Sequence, residues 1–349
     1  MNLVLCTAPK RKLHITLKWI FITHLGLFIA LNATGQDLHF SQFMNNPLLT
    51  NPANTGFNPD YDYRIGASYR SQWASLPVPY KTMGIWGDAQ VMRNRFQNGW
   101  LGLGGAILRD QAGSGSLVST KVYGSIAYHQ EIGEGSLLST GFNVGWASKS
   151  VDLTSFKWEN QWNGKFFDGA ASSGEKFAYS QIGYMDLQVG INYAYFANDN
   201  FYFNAGASIL HINKPKESFF QDGDNRVAQR YTGFLNASYK VNDQWIINPN
   251  VYYSNQAASS ELVGGMMAQY NLSGDGEMQL LGGAYYRAGD AAVAVVGLQW
   301  NNIRLSFSYD ATTSGLRNYN NGNGALEFSL MKFGEFGTGS PRQTRCPSF

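Results

Sequence analysis

From Tyr63 onward the chain alternates apolar and polar residues with a period of two. In Tyr184–Ala197, Met185, Leu187, Val189, Ile191, Tyr193 and Tyr195 share one face; Asp186, Gln188, Gly190, Asn192, Ala194 and Phe196 share the other. Ile303, Leu305, Phe307 and Tyr309 likewise oppose Arg304, Ser306, Ser308 and Asp310. Successive side chains of a strand point to opposite faces, so this period marks strands with one apolar and one polar side. Fourteen segments carry it: roughly 63–73, 80–91, 100–109, 117–131, 136–149, 184–197, 201–212, 228–241, 245–255, 260–272, 278–288, 291–300, 303–311 and 324–333.

Two architectures alternate in this way, a stack of water-soluble sandwiches and a membrane barrel. No linker divides the chain into two sandwiches. Charged residues are only 14% and aromatics reach 15%, against about 25% charge in an ordinary soluble domain. Beyond the N-terminus no apolar run is long enough to span a bilayer as a helix. The fold class expected is therefore all-β, a transmembrane antiparallel barrel of about 14 strands, outer-membrane type; an even count is usual there. Connections also alternate. Asn198–Asn200, Asn242–Gln244 and Asn301–Asn302 are tight and rich in Asn, while 150–183, 213–227 and 312–323 are long. Short turns on the periplasmic side and long loops outside fit such barrels. Met92–Gly99 is an exception, long for a turn. Trp73, Trp100, Trp146, Phe201, Trp245 and Trp300 near strand ends read as interface girdles. Pro249 sits inside a strand, where a bulge would accommodate its missing N–H.

Lys10, Arg11, Lys12 and Lys18 precede an apolar stretch, and Ala33 and Gly35 are small. Residues 1–35 thus read as a signal peptide, with the mature chain beginning at Gln36. Cleavage removes those four basic residues and no acid, so 26 basic against 24 acidic becomes 22 against 24, net −2. Bulk charge therefore offers nothing to nucleic acid. Cys6 leaves with the signal and Cys346 remains alone, so no internal disulfide and no metal site is expected.

Residues 36–62 form a strap before the 63–333 barrel, and 334–349 a C-terminal tail. Pro47, Pro52 and Pro59 forbid a regular strand here, yet Leu38, Phe40, Phe43, Met44, Leu48 and Leu49 need cover. The strap is expected to tuck against the periplasmic mouth or into the lumen. Facing inward by the alternation are Arg64, Arg70, Asp88, Lys121, Asp186, Arg230, Arg304 and Asp310; both signs occur, which suggests internal ion pairs or a plug contact over a one-sign pore.

No catalytic set emerges. His39 lies in the strap, His129 faces the lumen, and His211 falls on the apolar face, too far apart to share one proton. No cofactor is expected. Gly102, Gly104 and Gly105 lie within a strand with no helix following, so they are no phosphate loop; they suit a bend or the close approach of a plug.

The stretch QDLHFSQF…NPLLTNPANTG resembles the start of the PorP/SprF-like membrane proteins of the type IX secretion system of Bacteroidota. Gln36, Asp37, Phe40, Ser41, Gln42, Asn46, Pro47, Asn51, Pro52, Ala53 and Gly56 match. Arg70, Gln72 and Trp73 are similar to that family's first-strand arginine–tryptophan piece. Ser308, Tyr309, Asp310, Gly324 and Glu327 are similar to its last hairpin, and Cys346–Phe349 to its Cys-Pro-x-Phe tail. The even strand count puts both termini in the periplasm and no enzyme is expected; the resemblance implies an outer-membrane barrel that assists export or surface display of substrates such as large adhesins. It implies secretion-machinery partners. The contact surfaces expected are Phe40–Gly56, toward the periplasm, and loops 150–183 and 213–227, toward exported substrate. The rival readings are a passive channel or small-hydrophobe transporter, tested by conductance, and a hydrolase dependent on His211 or His129.

Overall fold

The computed structural model describes residues 37–337, apart from Pro59, Val78, Gln97, 114–116 and Lys176. The expected signal peptide (1–35), Gln36 and Cys346 lie outside the described residues. The fourteen strands are β1 (Tyr63–Gln72), β2 (Tyr80–Phe96), β3 (Gly99–Ala112), β4 (Leu117–Gly133), β5 (Ser136–Val151), β6 (Gln181–Asn198), β7 (Phe201–Leu210), β8 (Arg230–Asn242), β9 (Trp245–Gln256), β10 (Ser259–Asn271), β11 (Met278–Arg287), β12 (Ala291–Trp300), β13 (Ile303–Thr312) and β14 (Asn323–Gly334). Each pairs antiparallel with its sequence neighbours, and β1 pairs with β14 from Tyr63↔Gly334 to Gln72↔Ala325, closing the barrel. Closure leaves no strand edge, the condition for backbone to cross lipid in extended form.

Ten to eighteen residues per strand meet the roughly 9–11 that a tilted strand needs to span the hydrocarbon. The outward face is apolar and open: Ile65, Ile85, Ile107, Val122, Val144, Met185, Ile191 and Val296 are all exposed. The inward face is polar and buried, with Ser68, Gln90, Asn143, Gln188, Asn192 and Ser306 among its residues. Trp146, Trp245 and Trp300 lie exposed on the outer face. Trp100 departs from the girdle expectation: it is buried inside, ring-stacked on His129 at 4.9 Å.

Three local expectations change. The long second connection vanishes because β2 runs on to Phe96, which pairs with Gly99 after a register shift beyond Val91. No bulge forms at Pro249. It stays in register with Met266 on β10, and toward β8 the pairing lapses between Asn236↔Asn250 and Tyr239↔Ile247 without a shift. The ring simply occupies the place of the missing donor. His211 does not lie on the outer face. β7 ends at Leu210 and His211 takes a φ of 58°, so its side chain turns inward and is fully buried.

The lumen is not empty. From Leu38 the strap runs down its length through a 3-10 turn at Phe43–Asn45, the short helix α1 (Pro47–Thr50) and a second 3-10 turn at Pro52–Asn54. Pro47 and Pro52 each open a turn, where a missing N–H costs nothing. Phe43 stacks on Tyr252 at 5.2 Å. Leu48 joins Trp86, Ala106, Met331 and Phe333 in an apolar cluster inside the barrel.

Candidate functional site

The strap is held at three levels. Uppermost, among the strand ends that carry the long loops, Ser41 and Gln42 meet four strands. The Ser41 hydroxyl donates to Asp310 Oδ2 at 2.7 Å and accepts from Arg70 Nη1 at 2.5 Å and Arg287 Nη2 at 2.6 Å. That uses its single donor and both lone pairs. Glu327 receives the strap backbone, Oε2 from Ser41 N–H at 2.7 Å and Oε1 from Gln42 N–H at 3.0 Å. Arg70 ties the two acids together, 3.0 Å from Asp310 and 3.2 Å from Glu327. Arg287 pairs with Glu261 at 2.9 Å, Asp290 at 3.0 Å and Asp310 at 3.1 Å. The Gln42 amide is equally committed: Nε2 donates to Ser308 Oγ and the Glu327 carbonyl, and Oε1 accepts from Asn45 and Ser329. The bonds of Ser41 and of the Gln42 N–H to Arg70, Arg287, Asp310 and Glu327 are charge-assisted, worth about twice neutral ones.

The middle level is a fit of strap against bare backbone. Asn51 Nδ2 donates to the carbonyls of Ile191 at 2.9 Å and Ala207 at 3.2 Å on β6 and β7, while its Oδ1 caps Ala53 N–H at 2.8 Å. This approach requires wall positions without side chains. A methyl on Gly141 would strike the Pro52 backbone, and one on Gly190 would strike the Asn51 carboxamide. We expect Gly141→Val to separate two effects: valine favours the strand, yet the strap's centre loses its seat. Limited proteolysis then shows cleavage around Asn51 in a barrel that still resists heat in detergent; an uncut strap would refute the fit.

At the lowest level, near the tight turns, Gly56 N–H donates to Asp88 at 2.7 Å. Trp100 Nε1 donates to the Gly56 carbonyl at 3.0 Å, and His129 Nε2 lies 2.8 Å from the Thr55 carbonyl. Gly102 lies directly beneath Thr55 and Gly56, with no room for a Cβ. His129 thus braces the plug, its Nδ1 2.7 Å from Ser139 Oγ.

The strap residues singled out from the sequence do not stand free of the barrel: Phe40, Ser41, Gln42, Asn46, Asn51, Pro52, Ala53 and Gly56 are buried against the inner wall, and Pro47 is half-buried. Nor does Leu38–Gln42 lie at the tight-turn mouth. The Leu38 carbonyl accepts from Arg230, the first residue of β8 after a long loop. The inward-facing charges are engaged: Arg64 with Asp88 and the Asn54 carbonyl, Arg70 and Asp310 as above, Arg230 with Tyr252 and Ser254, and Arg304 with Gln299 and the Phe333 ring. Lys121 is buried. Asp186 accepts from Tyr123 at 2.8 Å and lies 2.8 Å from His211 Nδ1. The two histidines serve separate networks, His129 between Ser139 and the Thr55 carbonyl, His211 against Asp186. Arg287, Glu261 and Ser329 went unnoticed in the sequence; the available signal was only that each is a polar residue in a barrel strand.

His39 adds a pH dependence. Burial, with Arg287, Arg70 and Arg230 nearby and Asp310 opposing them, holds its pKa well below 6.5. The seated strap therefore favours neutral His39, while a released one protonates near 6.5. Seating is strongest above that value and weakens as pH falls below it, by up to tenfold per unit. Brief openings in planar bilayers should become more frequent on acidification, and His39→Gln should remove the trend.

These features define a class: an outer-membrane β-barrel whose lumen is closed by its own N-terminal segment. The chain belongs to the family of type IX secretion system membrane proteins PorP/SprF, whose model matches residues 32–331. No curated protein matches it. Among solved structures it is similar to a TodX monoaromatic hydrocarbon channel mutant (TM-score 0.50, 10% identity, covering 82% of this chain and 93% of that one). It is also similar to the Ralstonia pickettii toluene transporter TbuX (0.49, 12%, 83% and 93%) and the Pseudomonas putida toluene transporter TodX (0.49, 10%, 86% and 94%). At such identities the likeness is one of fold. The chain is thus an outer-membrane component of type IX secretion, in a family described by secretion and not by catalysis.

Proposed function

We propose that this chain is an accessory that hands particular substrates, such as large adhesins, to the cell surface, and that it works as a plugged adaptor and not as a passive channel. One observation carries the reading. The residues that resemble the family's motifs, Ser41, Gln42, Arg70, Ser308, Asp310 and Glu327, are far apart in sequence yet converge to hold the plug. A channel for small solutes has no need of so many bonds to keep itself shut.

Barrels of this class keep tight turns in the periplasm and long loops outside. That orientation gives the exported substrate the surface of loops 150–183 and 213–227. These support each other: Phe177 stacks on Phe220 at 5.0 Å, and Lys149 pairs with Glu217 at 2.5 Å. Trp162 and Phe166 stand 56% and 60% exposed on the first loop, apolar surface free for a partner. The secretion machinery meets the opposite, tight-turn rim, where β14 also ends. Cells lacking this chain should retain one exported protein while other type IX cargo still reaches the surface. Normal export of all cargo with reduced uptake of a small solute would replace this reading with the channel.

A further inference from the structure

The plug does not fill the tight-turn half of the lumen. A cavity of about 300 Å³ remains there between the strap and the wall from β7 to β10. This wall presents a row of carboxamides across four neighbouring strands: Asn204 on β7, Asn236 on β8, Asn248 on β9 and Gln269 on β10. They are paired only at one end. Asn236 Nδ2 donates to Asn204 Oδ1 at 3.0 Å, and Gln269 Nε2 donates to Asn248 Oδ1 at 2.7 Å. Asn204 Nδ2, Asn236 Oδ1, Asn248 Nδ2 and Gln269 Oε1 have no protein partner among the described residues, so donors and acceptors alternate along the row. Across the cavity, Asn58 Nδ2 is buried and has no partner among the described residues. The rest of the lining includes aromatic side chains, Phe57, Tyr202 and Phe234 among them.

We infer that this cavity binds a small neutral saccharide. A sugar hydroxyl both donates and accepts, and so satisfies alternating amide ends as no single-function group can. The C–H faces of a pyranose lie well on aromatic rings. A hydrocarbon filling the same space would leave several amide ends desolvated and unpaired, at about 1–3 kcal/mol each. Arg64 is already neutralised by Asp88, and Arg304 is hydrogen-bonded to the neutral Gln299 Oε1 and so adds a further donor that a sugar hydroxyl can accept from. The volume lies at the lower bound for small-molecule sites, roughly 300–1,000 Å³, which suits a mono- or disaccharide.

The test uses the full mature chain in an amine-oxide detergent, since maltoside headgroups would themselves compete. Saturation-transfer NMR is recorded with maltose, with N,N′-diacetylchitobiose, with trialanine and with toluene. One of the two sugars should bind, and the Asn236→Leu/Gln269→Leu pair, which touches neither the strap nor its clamp, should weaken it at least roughly tenfold, the loss of about one net hydrogen bond to each amide. Failure of both sugars to bind, binding that the double variant leaves unchanged, or binding of trialanine or toluene in their place would each overturn the assignment. Secretion is not part of the readout, so this result stands apart from the adaptor reading.

Discussion

A barrel lacking residues 38–58 is expected to conduct ions steadily in planar bilayers, whereas the intact chain is silent apart from brief openings. The cylinder does not depend on the plug for closure. Its seam is ten β1–β14 pairs, and each strand has two neighbours without help from the strap. Much of the inner wall is polar, with Gln90, Asn143, Gln188, Asn192, Ser306 and Ser329 facing in, so water can replace the strap over most of it; the apolar patches under Leu48 and Phe40, around Trp86, Met331 and Leu108, become wet but take no part in the strand pairing. Arg70 and Arg287 keep Asp310 and Glu327 as partners when Ser41 is gone. Fourteen strands lie between eight, whose interior side chains fill, and sixteen, which leave an aqueous channel, and the cleared lumen of this barrel is wide enough to have held a folded segment. Equal conductance from the two proteins would show that the strap does not occlude the barrel.

The second large effect concerns Glu327. In Glu327→Ala, the N–H groups of Ser41 and Gln42 lose their acceptor and Arg70 loses one of two acids, all in buried surroundings. Removing one member of a buried ion pair costs about 3–5 kcal/mol. The loss should be local, because Asn51, Thr55 and Gly56 keep their own bonds to the wall. Hydrogen-exchange protection of amides 41–46 should therefore fall by two to three powers of ten, with amides 53–57 little changed. Glu327→Gln keeps one of the two acceptor oxygens but turns its NH2 toward the other donor, so it should lose less than Glu327→Ala without matching the native carboxylate. A uniform loss along the strap would mean that the plug seats as one unit and not at three independent levels.

The strands were legible because a one-residue slip would turn every side chain to the wrong face, so a buried face fixes the pattern strongly. What escaped was whatever breaks that pattern locally. A positive φ carried His211 inward, a register shift lengthened β2, and Pro249 opened a gap where a bulge was expected. The strap was legible as something needing cover, but not its course. Its upper clamp combines Arg70, Arg287, Asp310 and Glu327 from four strands, and nothing local in the sequence says that these stand at one height. The wall glycines did hold a clue. Gly102, Gly141 and Gly190 all occupy inward positions where larger polar residues would be ordinary, and each faces the strap.

The route of the strap constrains the order in which this molecule is built. Its lower and middle parts rest on β2 to β7, strands synthesised early, whereas Ser41 and Gln42, besides Arg70 of β1, are gripped by β11, β13 and β14, synthesised last. The N-terminal segment must already lie along the half-made sheet before the final hairpin arrives to wrap it. Were the seam to zip first, the free end would have to be threaded through a sealed tube against lipid-bound walls. Insertion into the membrane and enclosure of the plug are thus one event, and the last hairpin completes both.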